Sequence, residues 1–386
     1  MNKLKTYFGK VKQRILEMKN QPKKPRDFSS ILNSLISILF GLLVGFLIML
    51  AVNPENALGG LLKLLTGGSA SAQMLGNTFF KAGPLILVGL AVAFAFKTGL
   101  FNIGVSGQFM VSGAAALYVA NLVTLPAPWH WILAVIAAVI AGSIWAGIPG
   151  LLKAFFNVNE VIATIMMNYI GMYLCVILAY NAAVYDTSIT AINAYFPTAN
   201  TPTLGLSSLF PGSNIDFGII LAIIVAIIIW FILKKTTLGY QLKAVGYSIS
   251  GSKYSGINYR RNVIISMMIS GALAGLAAAI TYLAVLPDYL RPANKILSIG
   301  FEGISVALIA QSNPLGIIFS GVLISYIKQG ALTMQLLGFD KEITNIVVAV
   351  IIYMIGISSF LGAYLKKRRD KRIKAHHESE EDAKNV

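Results

Sequence analysis

The chain has 386 residues, of which 56% are hydrophobic and 12% charged, and a formal net charge of +16. Soluble domains carry roughly 25% charged residues, so too few charges are present to shield this much apolar surface from water, and a soluble globular protein is excluded in favour of one that uses a bilayer as solvent. The basic excess sits in three clusters beside long apolar runs, without interleaved aromatic residues, which speaks for a cytoplasmic membrane surface and against nucleic acid.

The first thirty residues are polar and basic, holding Lys3, Lys5, Lys10, Lys12, Arg14, Lys19, Lys23, Lys24 and Arg26. The first apolar run, Ile31–Val52, is too long and too late for a cleaved signal sequence, whose core is ~7–15 residues, so it reads as a retained span. Further runs near the ~20 residues a span needs are Phe79–Phe96, Phe101–Leu122, Trp131–Leu152, Val161–Ala182, Phe217–Leu233, Val263–Leu286, Ile296–Ala310, Leu315–Gly330 and Ile343–Leu365. The expected fold is all-α and polytopic with about ten transmembrane helices. Ile296–Ala310 and Leu315–Gly330 are short and separated by Gln311-Ser312-Asn313-Pro314, which reads as a break at Pro314 between half-helices around a cavity.

Charge fixes an expected orientation. The segment 234–261 holds six Lys or Arg and no acid, and Asn181–Asp216 holds no Lys or Arg. With ten spans, 234–261 and both basic tails fall inside and 182–216 outside, as the positive-inside rule requires. The expected organisation is a cytoplasmic tail (1–30), a membrane domain (31–365) and a charged cytoplasmic tail (366–386). Trp129-His130-Trp131 reads as an interfacial aromatic belt rather than a histidine site. Cys175, the single cysteine, lies within an apolar run and allows neither an intrachain disulfide nor a thiolate metal cluster.

No phosphate-binding glycine-lysine loop, zinc-protease helix or serine-nucleophile elbow is present in the sequence. Few titratable residues fall in the apolar runs, chiefly Glu302 and Lys328, with Lys97 and Glu160 near ends. An ion-driven carrier usually carries a fuller relay of such groups, which tilts the energy source toward another subunit. Asn102 and Gln108 place amides at the glycine-rich start of a span, where an unpartnered amide costs roughly 2–7 kcal/mol. They either bond between helices or line a substrate path. Glu302 has the same two options, an ion pair with Arg291, Lys295 or Lys328, or a place in the path with Phe301 beside it.

Four strings in order then resemble one family. FNIGVSGQFMVSGAAAL at Phe101–Leu117, NEVIATIMMNYI at Asn159–Ile170, LGYQLKAVGYSISGSKYSGI at Leu238–Ile257 and GFEGISVALIAQSNPLGIIFSGVL at Gly300–Leu323 are similar to motifs of permeases for nucleosides and simple sugars in ATP-binding-cassette importers, most of all nucleoside permeases that work with a basic-membrane-protein lipoprotein. The resemblance implies inward transport by alternating access in a bacterial inner membrane. It implies a dimer with a second permease chain, commonly a different paralogue, together with a cytoplasmic ATP-binding subunit and an extracytoplasmic substrate-binding lipoprotein. ATP and Mg are then held by the ATP-binding subunit, with no cofactor in this chain. The substrate-path candidates are Asn102, Gln108, Asn168, Phe301 and Glu302. Gly246, Tyr247, Ser248, Lys253, Gly256 and Ile257 are marked as the coupling segment, with a short helix over Tyr247–Ile257 docking on the ATPase. The rival reading is an ion-gradient-driven secondary transporter of a small polar solute.

Overall fold

The computed structural model describes residues 28–354 except 182 and 195, with side chains from residue 39 onward. The expected tails therefore lie outside the described residues, apart from 28–30, and so does the end of the run Ile343–Leu365. The helices in order are α1 (Phe28–Val52), α2 (Ala57–Thr66), α3 (Ala72–Lys97), α4 (Val105–Leu122), α5 (Trp129–Phe156), α6 (Glu160–Ala179), α7 (Leu206–Leu209), α8 (Gly218–Lys235), α9 (Thr237–Tyr247), α10 (Ile249–Tyr254), α11 (Tyr259–Tyr282), α12 (Ile299–Ile309) and α13 (Pro314–Met334), followed by a helix over 341–354. Two-residue strands β1 (Tyr185–Asp186) and β2 (Ala191–Ile192) pair antiparallel within the loop after α6.

Six helices among the described residues are long and apolar enough to cross a bilayer, namely α3, α5, α6, α8, α11 and α13 extended to Leu337. The expected ten are thus met by six on length and hydropathy. The described apolar part of α1, Leu39–Val52, and α12 are shorter, and α4 carries Ser106, Gln108, Ser112 and Asn121 in its 18 residues. Two expectations are corrected outright. The run Leu315–Gly330 is not a half-helix: α13 has 21 residues. Pro314 begins α13 instead of breaking a helix, because a missing amide hydrogen is harmless at the first position, and the Asn313 side chain caps the start by accepting from Leu315 N at 3.2 Å. Likewise Phe101–Gly104 is not helical, and α4 begins at Val105.

Helix α3 is the centre of the bundle. Leu85 through Ala95 are all buried, and it packs against α8, α11, α12 and α13. The most extensive pair is α5 with α11. There the backbones touch: a Cβ on Gly271 would meet the carbonyl of Gly142, one on Gly142 would meet that of Gly271, and one on Gly275 would meet that of Ala138. Small residues permit this approach, and hydrocarbon offers no hydrophobic drive to replace it. The lipid-side positions of α5 and α6 are correspondingly apolar and exposed, as at Ile136, Ile140, Ile144, Ile170 and Ile177.

At the predicted outer boundary Trp129 is exposed and the Trp131 indole donates to Thr201 Oγ1 at 3.1 Å. His130 between them is buried, with Nδ1 2.7 Å from Thr198 Oγ1. Asp216, ahead of α8, is also buried. Its Oδ1 accepts from Gly218 N at 2.8 Å while Oδ2 has no partner, and burial pushes its carboxyl up to about 7.

Two outcomes follow. Gly271→Val should cost more than about 3 kcal/mol, since overpacking against backbone has no side chain to yield, whereas Gly147→Ala, whose Cβ would meet only Met268 at 3.4 Å, should leave thermal unfolding of the purified protein unchanged. Equal behaviour of the two would contradict the contact. For Asp216, an acid with a raised folded pKa, the folded state binds the extra proton, so stability falls as pH rises from about 4 to 7. Asp216→Asn should remove that slope, on the order of a few kcal/mol, in a melting-temperature series against pH.

Candidate functional site

The chain leaves helical form between α3 and α4, and residues 98–104 there need partners for their backbone groups. The amides of the glycine-rich motif supply them. Asn102 Nδ2 donates to Ser270 Oγ at 2.8 Å and to Gln108 Oε1 at 3.2 Å, and Gln108 Nε2 donates back to Asn102 Oδ1 at 3.1 Å. Asn102 Oδ1 also accepts from Gly104 N at 3.0 Å. Ser270 on α11 in turn donates to the Ala91 carbonyl of α3 at 2.6 Å. From α6, Asn168 Oδ1 accepts from Gly107 N at 2.8 Å, capping the first turn of α4, and Nδ2 donates to the Ile103 carbonyl at 3.0 Å. The three amides are 1% exposed and bonded on both ends; they tie four helices together and do not line the cavity described next.

That cavity, about 580 Å³, lies among α3, the segment after α11, α12, α13 and the helix over 341–354. Phe80, Lys81 and Pro84 come from α3. Glu302 of α12 and Lys328 of α13 stand in the wall as an ion pair at 2.8 Å. Ser298 Oγ donates to the same carboxylate oxygen at 3.1 Å. Among the three cations considered from sequence, Lys328 is the partner; Arg291 instead lies over the Tyr289 ring at 5.9 Å. Glu302 is therefore both paired and in the cavity. Phe301 is not in the wall and points outward, 47% exposed. Gln329, which sequence reasoning passed over, lines the cavity beside Lys328. A glutamine next to a lysine inside an apolar run was the signal for it.

The segment 234–261 departs from a single loop with one short helix. Lys234 and Lys235 finish α8, Thr236 caps α9 by accepting from Gly239 N at 3.2 Å, and α10 follows at once. Ser248 caps α10 through Gly251 N at 3.1 Å, and Gly256, at φ +74°, ends the turn after it. Gly246 packs against the Lys97 carbonyl, where a Cβ would not fit. Tyr247 and Tyr254 are 89% and 94% exposed, Lys253 is exposed with its ammonium 5.8 Å from the Tyr259 ring, and Ile257 is half-buried. Lys153 at the end of α5 pairs with Glu160 of α6 at 2.9 Å. No group of three or more His, Cys, Asp or Glu residues that could hold a metal occurs among the described residues.

Gln108→Leu should lower stability by roughly 1–3 kcal/mol by removing both of its hydrogen bonds to Asn102, which keeps only Ser270 and the Gly104 amide. A thermal shift on purified protein checks this, and a variant as stable as wild type would contradict the bonding scheme.

Residues 74–356 match the family described as branched-chain amino acid transport system, permease component. The chain is 40% identical over 347 residues to the guanosine ABC transporter permease protein NupP of Bacillus subtilis, covering 89% of this chain and 99% of that one. It is 36% identical over 350 residues to the nucleoside ABC transporter permease protein NupB of Lactococcus lactis, covering 89% and 95%. A second Bacillus subtilis protein, the guanosine ABC transporter permease protein NupQ, is 27% identical over 297 residues, covering 74% and 90%. No solved structure matches the chain. The membrane-length helices and these likenesses converge: the chain belongs to the family of branched-chain amino acid-type permease components, the membrane subunits of ATP-binding-cassette transport systems.

Proposed function

We propose that this permease moves nucleosides into the cytoplasm by alternating access through the cavity walled by Glu302 and Lys328. The observation that carries the reading is the make-up of that wall. Aromatic rings at Phe80 and Tyr289 stand with the Glu302–Lys328 ion pair and with Lys81, Asp288, Arg291 and Lys341 around about 580 Å³, which falls in the range of small-molecule sites. A nucleoside has a flat base to stack on those rings and hydroxyls and ring nitrogens to hydrogen-bond with the charged and polar groups beside them. The printed names of NupP and NupB support the same substrate class, and the family gives the ion-gradient alternative no support. Of the residues expected at the path, we assign Glu302; Asn102, Gln108 and Asn168 act by holding α4 in place.

The proposed topology has ten crossing elements, the six long helices with α1, α4, α12 and the helix from 341. It places both termini, 1–30 and 366–386, in the cytoplasm around a membrane domain 31–365, with 234–261 inside and 182–216 outside, in a bacterial inner membrane. The basic charge of 234–261 supports this orientation, and on it the cavity lies toward the outer half, where a lipoprotein would deliver substrate. A second permease chain completes the path. That NupP and NupQ share an organism and a printed substrate supports a different paralogue in that role. Energy comes from a cytoplasmic subunit holding ATP and Mg. Helix α10, with Gly246, Tyr247, Ser248, Lys253, Gly256 and Ile257 around it, docks there; the bare Tyr247 and Tyr254 rings support this, since exposed aromatic anchors are typical of interfaces.

The assembled transporter in proteoliposomes tests the reading. Guanosine uptake should need ATP and survive collapse of the proton gradient. Glu302→Gln should slow it roughly three- to tenfold, the scale of one ordinary net hydrogen bond, with ATP hydrolysis still coupled; wild-type uptake by this variant would sink the cavity assignment. Gly256→Val forces a β-branched residue to positive φ and should leave the complex assembled but hydrolysing ATP without uptake. Normal uptake would sink the coupling assignment.

A further inference from the structure

Where the segment 234–261 meets the ends of α5 and α11, two cavities of about 740 and 410 Å³ adjoin, with Phe155, Asn258 and Arg260 in the wall of both. The Arg260 guanidinium is held over the Phe155 ring, 5.2 Å from its centre. No Asp or Glu lines either cavity. Of the four cations there, Lys153 is neutralised by Glu160 at 2.9 Å. Lys253, Arg260 and Arg261 are exposed and have no carboxylate partner among the described residues. Like charges gathered without a counter-charge repel one another and attract an anion. The smaller cavity has a second character. Its wall is polar at Asn258, Arg260 and Arg261 and apolar at Phe155, Ile264 and Ile265. Helix α11 is long and apolar enough to cross a bilayer, and both arginines lie in its first turn. From Arg261, one helical face runs on through Ile264, Ile265 and Met268. Met268 is exposed, and the neighbouring α5 exposes Ile148, Leu151 and Phe155. The surface is therefore cationic where α11 starts and apolar along the helix from there.

A soluble anion would use the charges and leave the apolar strip bare. A zwitterionic lipid brings an ammonium that opposes the arginines. An anionic phospholipid uses both halves: its phosphate accepts from the forked N–H donors of arginine, and its acyl chain covers the strip. We propose that the smaller cavity is a binding site for one anionic phospholipid, with Arg260 and Arg261 on its phosphate and Ile264, Ile265 and Met268 along an acyl chain. None of the residues assigned to ATPase coupling lines this cavity. The bound lipid fixes the depth of the start of α11, directly after the coupling segment. The site lies apart from the cavity assigned to substrate, so it stands or falls independently of the transport reading.

The test uses the assembled transporter in detergent micelles doped with equal amounts of phosphatidylglycerol and phosphatidylcholine, and native mass spectrometry counts each lipid bound. Wild type should retain phosphatidylglycerol in preference. Replacing Arg260→Gln and Arg261→Gln together should reduce the ratio roughly three- to tenfold, the scale of one or two basic residues at a lipid surface. Arg260→Lys with Arg261→Lys, which keeps both charges, should preserve most of the preference. An unchanged ratio in the glutamine variant overturns the proposal. If that variant instead loses the ATPase subunit at an unchanged ratio, the arginines belong to a protein interface and the proposal fails. Glycerol 3-phosphate lacks acyl chains and should not displace the lipid; displacement would give the site to a soluble phosphate and overturn the lipid assignment. Should the glutamine variant fail to assemble, photoactivatable phosphatidylglycerol on the wild-type transporter decides. Its acyl-chain label should fall on residues 261–268 of α11, and labelling that spares them overturns the site.

Discussion

A backbone amide that leaves a helix inside hydrocarbon has no water to turn to, and each one left unbonded costs several kcal/mol. This chain accepts that constraint at residues 98–104, where Thr98, Leu100, Asn102 and Gly104 are buried, and meets it with side chains rather than with solvent. The Asn102–Gln108 pair is closed on itself, anchored to α11 through Ser270, and α6 lends Asn168 as a cap to a helix sixty residues earlier in sequence. The placement of α4 against α3, α6 and α11 depends on those bonds. The cavity wall depends on α4 and α3 in turn, since Phe109 and Phe80 face it from these two helices.

The same economy separates the polar residues of the membrane region into two kinds. Asn102, Gln108 and Asn168 are hydrogen-bonded at both the oxygen and the nitrogen of their amides within the protein, which makes them architecture. Glu302 and Lys328 are held as a pair in the cavity wall and remain partly exposed there, which makes them available for recognition. Both kinds look alike as letters in an apolar run. A place in the cavity wall, rather than polarity, tells them apart.

This is also where the sequence stopped being legible. Long apolar runs located most helices to within a few residues, because twenty apolar residues have few other uses, and the basic stretch 234–261 was recognisable as a distinct unit by its charge. Its division into α8's end, α9 and α10 was not, since the caps at Thr236 and Ser248 are common residues whose role appears only with the backbone. A proline within an apolar run reads either as a break or as a helix start, and at Pro314 the Asn313 cap before it decides for a start. For the site, the strings around Asn102 and Glu302 were visible, but partner choice depends on three-dimensional neighbours such as Ser270 and Lys328, 168 and 26 positions away. Gln329 carried no motif at all.

The seam between α5 and α11 bears on how such a bundle can move. Two helices in backbone contact, with no side chain between them to change rotamer, cannot slide or tilt without losing contact outright, so Ala138–Gly142 and Gly271–Gly275 behave as one rigid pillar. Between α12 and α13 the situation is reversed. Gln311 and Ser312 both sit at positive φ, 51° and 54°, a backbone state that disfavours side chains by about 1–2 kcal/mol per residue. Relaxation of those two residues would release strain and swing α12, and with it the carboxylate of Glu302, relative to α13. The chain therefore couples a stiff frame to a sprung joint, and the joint lies at the far end of the short helix that holds one half of the ion pair.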